Sequence, residues 1–314
     1  MNTLTEAKPR VLGIVGATAS AKTALSLPLA QALNCEIVCM DSMQIYRSMD
    51  IGTAKPSAAE RALVPHHMLD IAAPDEPFSV AQYVDQARAV IADIHRRGRV
   101  PMLVGGTGLY LQGLSLPMDY GGLPSDPAIR RRLTEQAERE GAAHMHALLA
   151  AVDPSTAARL HPNDQRRVIR ALEIYELTGV PMSQHRTPTQ ADAPYDFSLY
   201  AVDWPRAELH ARINRRVDQM LSDGLVQEIQ SLLASGVPED AQSMQGLGYK
   251  ELLPFLHGDI SLAQAAEAIK TGTRNYARRQ LIWFRRDTRI HWIPSNEIPH
   301  AKDRIIHDWE EHIR

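Results

Sequence analysis

The chain has 314 residues, of which 44% are hydrophobic and 23% charged, enough for one large core and a second, smaller domain. Its formal net charge is −3, so a polyanionic partner would have to be met by local basic patches and not by an overall field. No run approaches the roughly 18 apolar residues of a membrane span, and residues 1–10 lack the apolar segment of a signal peptide, so a cytoplasmic protein without membrane contact is expected.

The first element is an apolar run over 11–15, read as a strand. It is followed by Gly16, Ala17, Thr18, Ala19, Ser20, Ala21, Lys22 and Thr23, and then by a helical pattern from Ala24. Small residues let backbone N–H groups wrap a phosphate closely, and the helix that follows aims its positive end at the anion. Lys22 adds a point charge, and Thr23 a hydroxyl for Mg²⁺. The spacing fits a phosphate-binding loop except that Ala21 stands where the second glycine belongs. The plain alternative is an ordinary strand-to-helix turn with a stray lysine.

The helix continues to about residue 34, carrying Leu25, Leu27, Leu29 and Leu33 and interrupted by Pro28. A strand over 36–40 ends at Asp41. Cys35 and Cys39 share its parity, and with too few partners for a metal they read as reduced, half-buried core residues. Ser79 and Gln82 form a capping-box pattern that opens a helix running to Arg97 and stopping at Gly98. A strand over 100–104 ends in Gly105, Gly106, Thr107 and Gly108, a tight turn or a place where a ligand approaches the backbone. Strands alternating with helices predict an α/β fold of the P-loop, nucleotide-kinase-like type, a parallel sheet with helices on both faces. Ligands bind beyond the C-terminal ends of such strands, where the loop, Asp41 and Thr107 all fall.

From residue 117 strand signals cease. Asp126 and Pro127 start a helix that stops at Gly141, Asp153 and Pro154 start a short one, and Asn163 or Asp164 starts one that stops at Gly179. These predict an inserted all-α domain over 117–196, between core segments 1–116 and 197–314. The strand pattern returns over 198–203. Helices follow near 209–221, 225–235 and 261–286, then a strand over 289–293 and a polar terminal helix.

Asp41 has three readings: a Mg²⁺ ligand, a general base facing the phosphate loop, or a strand-end turn residue. Arg212 and Arg216 share one helix face opposite Ile213, Val217 and Met220, and are either solvated or part of a site. Lys270, Arg274, Arg278, Arg279, Arg285, Arg286 and Arg289, interleaved with Tyr276, Trp283 and Phe284, read as an RNA-backbone surface or as the charged face of an amphipathic helix. Arg130, Arg131 and Arg132 with Arg166, Arg167 and Arg170 repeat that theme in the insertion. His66, His67, His144 and His146 lack partner cysteines or a carboxylate pattern and read as structural.

Together, Gly16-Ala-Thr-Ala-Ser-Ala-Lys-Thr23, Asp41-Ser-Met-Gln-Ile-Tyr-Arg47, Met49-Asp-Ile-Gly-Thr-Ala-Lys-Pro56, Leu103-Val-Gly-Gly-Thr107, His161-Pro-Asn-Asp164 and Arg279-Gln-Leu-Ile-Trp-Phe-Arg285 closely resemble the tRNA dimethylallyltransferases. The resemblance runs in order over most of the chain. It implies transfer of a dimethylallyl group from dimethylallyl diphosphate to N6 of the adenosine on the 3′ side of the anticodon, in tRNAs reading codons that begin with U. It also implies a partner in the tRNA anticodon stem-loop and Mg²⁺ as cofactor; a monomer is expected.

By position, the resemblance puts diphosphate binding on Gly16, Ala17, Thr18, Ala19, Ser20, Ala21, Lys22 and Thr23, with Thr23 toward the metal. The general base falls on Asp41, the substrate-positioning threonine on Thr107 and a diphosphate-binding arginine on Arg216. The implied tRNA contacts are Asp41, Ser42, Met43, Gln44, Thr107 and Arg130, then Gln165, Arg166, Arg167, Val168, Ile169 and Arg170, and finally Gln245, Gly246, Leu247, Gly248, Tyr249 and Lys250. The chain departs from the family's usual proline at Ala17 and glycine at Ala21, which predicts at most weaker donor binding. The phosphate-loop features alone would also suit a small-molecule or nucleoside kinase, and the basic patches a non-catalytic RNA-binding protein.

Overall fold

The computed structural model describes residues 8–116, 125–185 and 193–311. It divides into two compact units, Met1–Leu116 with Ala193–Arg314, and Pro117–Asp192. The chain therefore returns to the first unit earlier than residue 197, and Asp196 already lies in a strand of the core sheet. Residues 1–7, which hold most of the N-terminal stretch read above, fall outside the described part.

The core unit is built on the strands β1 (Arg10–Val15), β2 (Cys35–Met40), β3 (His66–His67), β4 (Val100–Gly105), β5 (Asp196–Asp203) and β6 (Ile290–Pro294). They form one six-stranded sheet in the order β3-β2-β4-β1-β5-β6, with every neighbouring pair parallel. β1 and β2 are buried almost throughout, as befits strands covered on both faces. The C-terminal ends of β1, β2 and β4 lie side by side, because Val15 pairs with Gly105 and Gly105 with Met40.

The helices before the insertion are α1 (Lys22–Ala32), α2 (Ala58–Leu63), α3 (Val80–Arg96) and α4 (Gly108–Ser115). Those of the insertion are α5 (Pro127–Glu140), α6 (Ala142–Val152), α7 (Pro154–Ala157) and α8 (Gln165–Thr178). After it come α9 (Arg206–Ser222), α10 (Leu225–Ala234), α11 (Leu253–Leu256), α12 (Leu262–Phe284) and α13 (Ile298–Glu311). The capping box of Ser79 and Gln82 is formed in full, and Pro28 lies inside α1 without ending it. Among the described residues no helix is long and apolar enough to cross a membrane.

The sequence reading omitted several elements for identifiable reasons. Gly141 ends α5 and also stands at the head of α6 without a side-chain cap, so one stop signal concealed the start of the next helix. α4 begins at a glycine and is buried on most sides, which erases its periodicity. β3 is only two residues long. The terminal helix α13 is not polar all round: it buries Ala301, Ile305 and Trp309 in the cluster that holds Leu25 and Leu29. Cys35 and Cys39 are fully buried, not half-buried, and burial pushes the Cys35 thiol up to about 12. His67 does have a carboxylate partner, Glu36, at 2.7 Å.

The insertion packs its helices around Leu133, Met145, Leu149, Val168 and Leu172. Glu173 lies fully buried beneath this unit's surface, hydrogen-bonded by Arg130 and Arg170. Burial alone would raise the Glu173 carboxyl, but these two guanidinium groups hold it below its usual value.

Candidate active site

The loop after β1 is shaped by its backbone. Gly16 sits at φ 129°, and two alanines, Ala19 at φ 60° and Ala21 at φ 69°, occupy the left-handed region. A methyl group there costs about 1 kcal/mol relative to glycine, so the conformation itself is what this segment requires. Ala21 is the N-cap of α1 and offers no side-chain cap, which leaves the first N–H groups of the helix facing the cleft. The Ser20 hydroxyl, buried in the same loop, has no hydrogen-bond partner.

Three cations converge on this loop. The Lys22 ammonium donates to the carbonyl oxygens of Ala17 at 2.7 Å and Gly16 at 3.2 Å. Its pKa is lowered to about 8, first by burial and then by Arg216, against the opposing pull of Asp41. Arg216 is likewise held below its ordinary value by burial. Arg212 is not solvated surface: its Nε donates to the Ala19 carbonyl at 2.7 Å and its guanidinium stacks on Trp204, whose indole N–H donates to Ser20 O. Desolvated cations with free N–H groups beside them form a site that gains from an anion.

Asp41 ends β2 as the turn reading required, because its Oδ1 accepts the N–H groups of Met43 at 2.9 Å and Gln44 at 3.4 Å. It also lines the cleft, so the turn fixes the carboxylate in place without burying it. Thr107, at the head of α4, accepts the Ser42 N–H at 3.0 Å. The glycines before it allow close packing: a Cβ on Gly105 would lie 2.0 Å from the Met40 carbonyl oxygen, and one on Gly106 would lie 2.2 Å from Gln280 Nε2. Neither has a positive φ, so close approach and not turn geometry explains the glycine run.

Two clefts meet at these residues. One of about 510 Å³ holds the phosphate loop, Arg212 and Arg216. A second of about 310 Å³ is walled by Met43, Ile213, Val217, Met220 and Leu247. Thr18, Asp41, Thr53, Arg216 and Tyr276 line both, so an anion cradle and an apolar chamber share one carboxylate.

A family model described as IPP transferase matches residues 44–287, and one described as Isopentenyl transferase matches residues 9–69. The chain belongs to the IPP transferase family. It is 49% identical over 292 residues to tRNA dimethylallyltransferase 1 of Trichlorobacter lovleyi, covering 92% of this chain and 95% of that protein. Identity to the tRNA dimethylallyltransferase of Geobacillus thermodenitrificans is 47% over 288 residues, 92% of this chain and 91% of the relative. Among solved structures, the full-length tRNA isopentenylpyrophosphate transferase of Bacillus halodurans matches with a TM-score of 0.72 and 42% identity, over 97% of this chain and 98% of that one. A eukaryotic dimethylallyltransferase acting on tRNA matches at 0.78 and 31%, over 91% and 74%.

The family's motif positions fall in several environments here. Gln245 and Lys250 are exposed at the second cleft, but Tyr249 is buried, its hydroxyl donating to Glu228 at 2.7 Å. Gln165, Arg166 and Arg167 are exposed on the first turn of α8, whereas Val168 and Ile169 face the core of the insertion. The side chains of Tyr249, Val168 and Ile169 are therefore packed inward, because apolar and aromatic groups on these elements are needed inside. Arg130 is half exposed and committed to Glu173. In the basic cluster, Lys270 pairs with Asp218, Arg285 with Asp203 and Arg289 with Asp287, and the exposed members are Arg278, Arg279, Arg285 and Arg286.

Thr23 is exposed on the first turn of α1 and lines the larger cleft. Among the described residues no group of three or more histidine, cysteine, aspartate or glutamate side chains could hold a metal ion. A hard cation here would therefore depend on substrate phosphate oxygens beside the Thr23 hydroxyl, which suits Mg²⁺. The sequence reading missed the roles of Trp204 and Gln280. The only signal for Gln280 was its place inside the motif from Arg279 to Arg285.

Proposed function

We propose that the protein transfers a dimethylallyl group from dimethylallyl diphosphate to N6 of the adenosine on the 3′ side of the anticodon in tRNA, releasing diphosphate. The observation that carries this reading is the meeting of the anion cradle and the apolar chamber at Asp41. The loop N–H groups, Lys22, Arg212 and Arg216 would bind the diphosphate. The adenine, drawn out of its stack, would lie in the second cleft with N6 toward Asp41.

The step balances within these groups. N6 forms a bond to the allylic carbon as the bond from that carbon to the diphosphate oxygen breaks, and the N6 proton passes to the Asp41 carboxylate and then to solvent. An exocyclic amine is a poor nucleophile because its lone pair is delocalised, so a positioned carboxylate contributes roughly 10²- to 10⁴-fold. Negative charge grows on the leaving oxygen where Lys22 and Arg216 already stand, which lowers the barrier without rearrangement. Mg²⁺, held by Thr23 and the diphosphate, would supply further charge neutralisation. Thr107 would fix the turn that carries Ser42 and Asp41.

We assign tRNA contacts to Ser42, Met43 and Gln44, to Gln245, Gly246, Leu247, Gly248 and Lys250, and, in the insertion, to the exposed residues Gln165, Arg166 and Arg167, with Arg130 and Arg170 holding α5 to α8. The protein would act as a cytoplasmic monomer on tRNAs reading codons that begin with U. Incubation with unmodified tRNA, Mg²⁺ and dimethylallyl diphosphate, followed by nucleoside mass analysis, tests the reading: a prenylated adenosine is expected. No mass gain, or transfer of phosphate from ATP in its place, would overturn it.

A further inference from the structure

Gln280 lies on α12, remote in sequence from both loops of the site, with its side chain buried against them. Its Oε1 accepts the Thr18 N–H of the phosphate loop at 2.9 Å. Its Nε2 donates to the Gly106 carbonyl oxygen of the β4 loop at 2.8 Å. Both halves of the amide are used, each in the only sense it allows, so a carboxylate or an apolar side chain cannot replace it. Close packing enforces the arrangement, because a methyl group on Gly106 would collide with Gln280 Nε2 at 2.2 Å and meet Gly16 O at 3.0 Å.

The two bridged loops carry different chemistry. Thr18 belongs to the cradle that would hold the leaving diphosphate. Gly106 precedes Thr107, which accepts the Ser42 N–H beside Asp41. One turn earlier on the same helix face, Tyr276 lines both clefts. The backbone offers no other hydrogen bond between the two loops among the described residues.

We infer that Gln280 is a positioning residue that sets the distance between the donor's diphosphate and the general base by clamping the phosphate loop to the β4 loop. This rests on the prenyl-transfer reading, which stands or falls first on whether the wild-type protein prenylates tRNA. The clamp is needed for alignment in the reacting complex and not for holding the donor, so its loss should appear in the chemical step. A displacement of about 1 Å at reacting groups can lower a rate by about 10²-fold.

The test compares Gln280→Leu and Gln280→Glu with wild type. Single-turnover prenylation and equilibrium binding of dimethylallyl diphosphate are both measured across pH. Gln280→Leu should lose about 10²-fold in the single-turnover rate, while donor affinity stays within about threefold of wild type. In Gln280→Glu, an ionised carboxylate repels the Gly106 carbonyl, but the protonated acid accepts from Thr18 and donates to Gly106 as the amide does. The ratio of its rate to that of wild type should therefore rise as pH falls, by up to about tenfold per pH unit for one titrating group, with groups common to both proteins cancelling. A merely structural glutamine would not give that ratio. Rates near wild type in Gln280→Leu, a loss confined to donor affinity, or a flat Glu-to-wild-type ratio would each overturn the inference. Should Gln280→Leu fail to fold, the pH dependence of Gln280→Glu decides alone.

Discussion

Two segments border the candidate site, and they divide their support differently between local and remote contacts. The phosphate loop is shaped largely within itself, by two left-handed alanines, an uncapped helix start and a lysine folded onto carbonyl oxygens a few residues away, and is then fastened from outside by Arg212, Trp204 and Gln280. The segment over 49–56 is shaped from outside. Glu228 on α10 accepts the N–H groups of Asp50, Ile51 and Gly52 and also the Tyr249 hydroxyl, while buried Lys55 reaches Asp50, Asp70 and the Tyr46 carbonyl. Gln44 closes the arrangement by donating to the carbonyls of Thr53 and Ala54. A locally encoded loop can be recognised in isolation; a remotely braced one tolerates no change in its distant supports.

If the donor side and the acceptor side are separable in this way, substitutions should sort between them. Asp41→Asn lies on the shared wall and should lower the prenylation rate by roughly 10²- to 10⁴-fold with tRNA binding retained. A wild-type rate in single-turnover assays would remove Asp41 as the base. Lys22→Met should weaken donor binding by roughly 10- to 100-fold, the worth of one charge-assisted contact, and leave tRNA affinity alone.

The same lysine gives a pH signature. With its free-state pKa near 8 and the donor binding its charged form, wild-type donor affinity should hold steady at neutral pH and fall as pH rises through about 8. Calorimetric titration across that range checks it, and the decline should be absent in Lys22→Met.

Glu228→Gln removes the charge on which three N–H groups converge and should cost about 1–3 kcal/mol of stability in a denaturation curve. It should raise the tRNA Michaelis constant while sparing donor affinity. Equal damage to donor and tRNA binding would break the contrast between the two segments. The smallest effect is expected of Ala21→Gly, which relieves a left-handed methyl and adds glycine's freedom to the unfolded chain. The balance is about 0.5–1 kcal/mol of added stability, or a few degrees in Tm. A lower Tm would mean that the loop's conformation is not strained, and an unchanged donor Michaelis constant would show that Ala21 does not weaken donor binding.

The contrast also explains what the sequence disclosed. The sheet, the phosphate loop, Asp41 at a strand end and the capped helices of the insertion rest on near-neighbour patterns, and each was legible. Trp204 and Glu228 act across long stretches of chain, and nothing in their immediate surroundings separates them from surface residues, while Gln280 had only its place in a motif and Arg212 only its spacing from Arg216 to mark them. Val168, Ile169 and Tyr249 show the converse with their inward side chains, since a motif marks where a segment matters but not which of its side chains turn inward. Family resemblance located the segments; only packing distinguished contact from support.

The left-handed alanines carry one more consequence. Glycine in such a corner explores a wide basin on both sides of the map, whereas alanine is confined to a narrow well once it is there. A loop with methyl groups at Ala19 and Ala21 therefore samples fewer shapes before its anion arrives. What is forfeited in folding stability returns as readiness: less ordering remains to be done at the moment of capture.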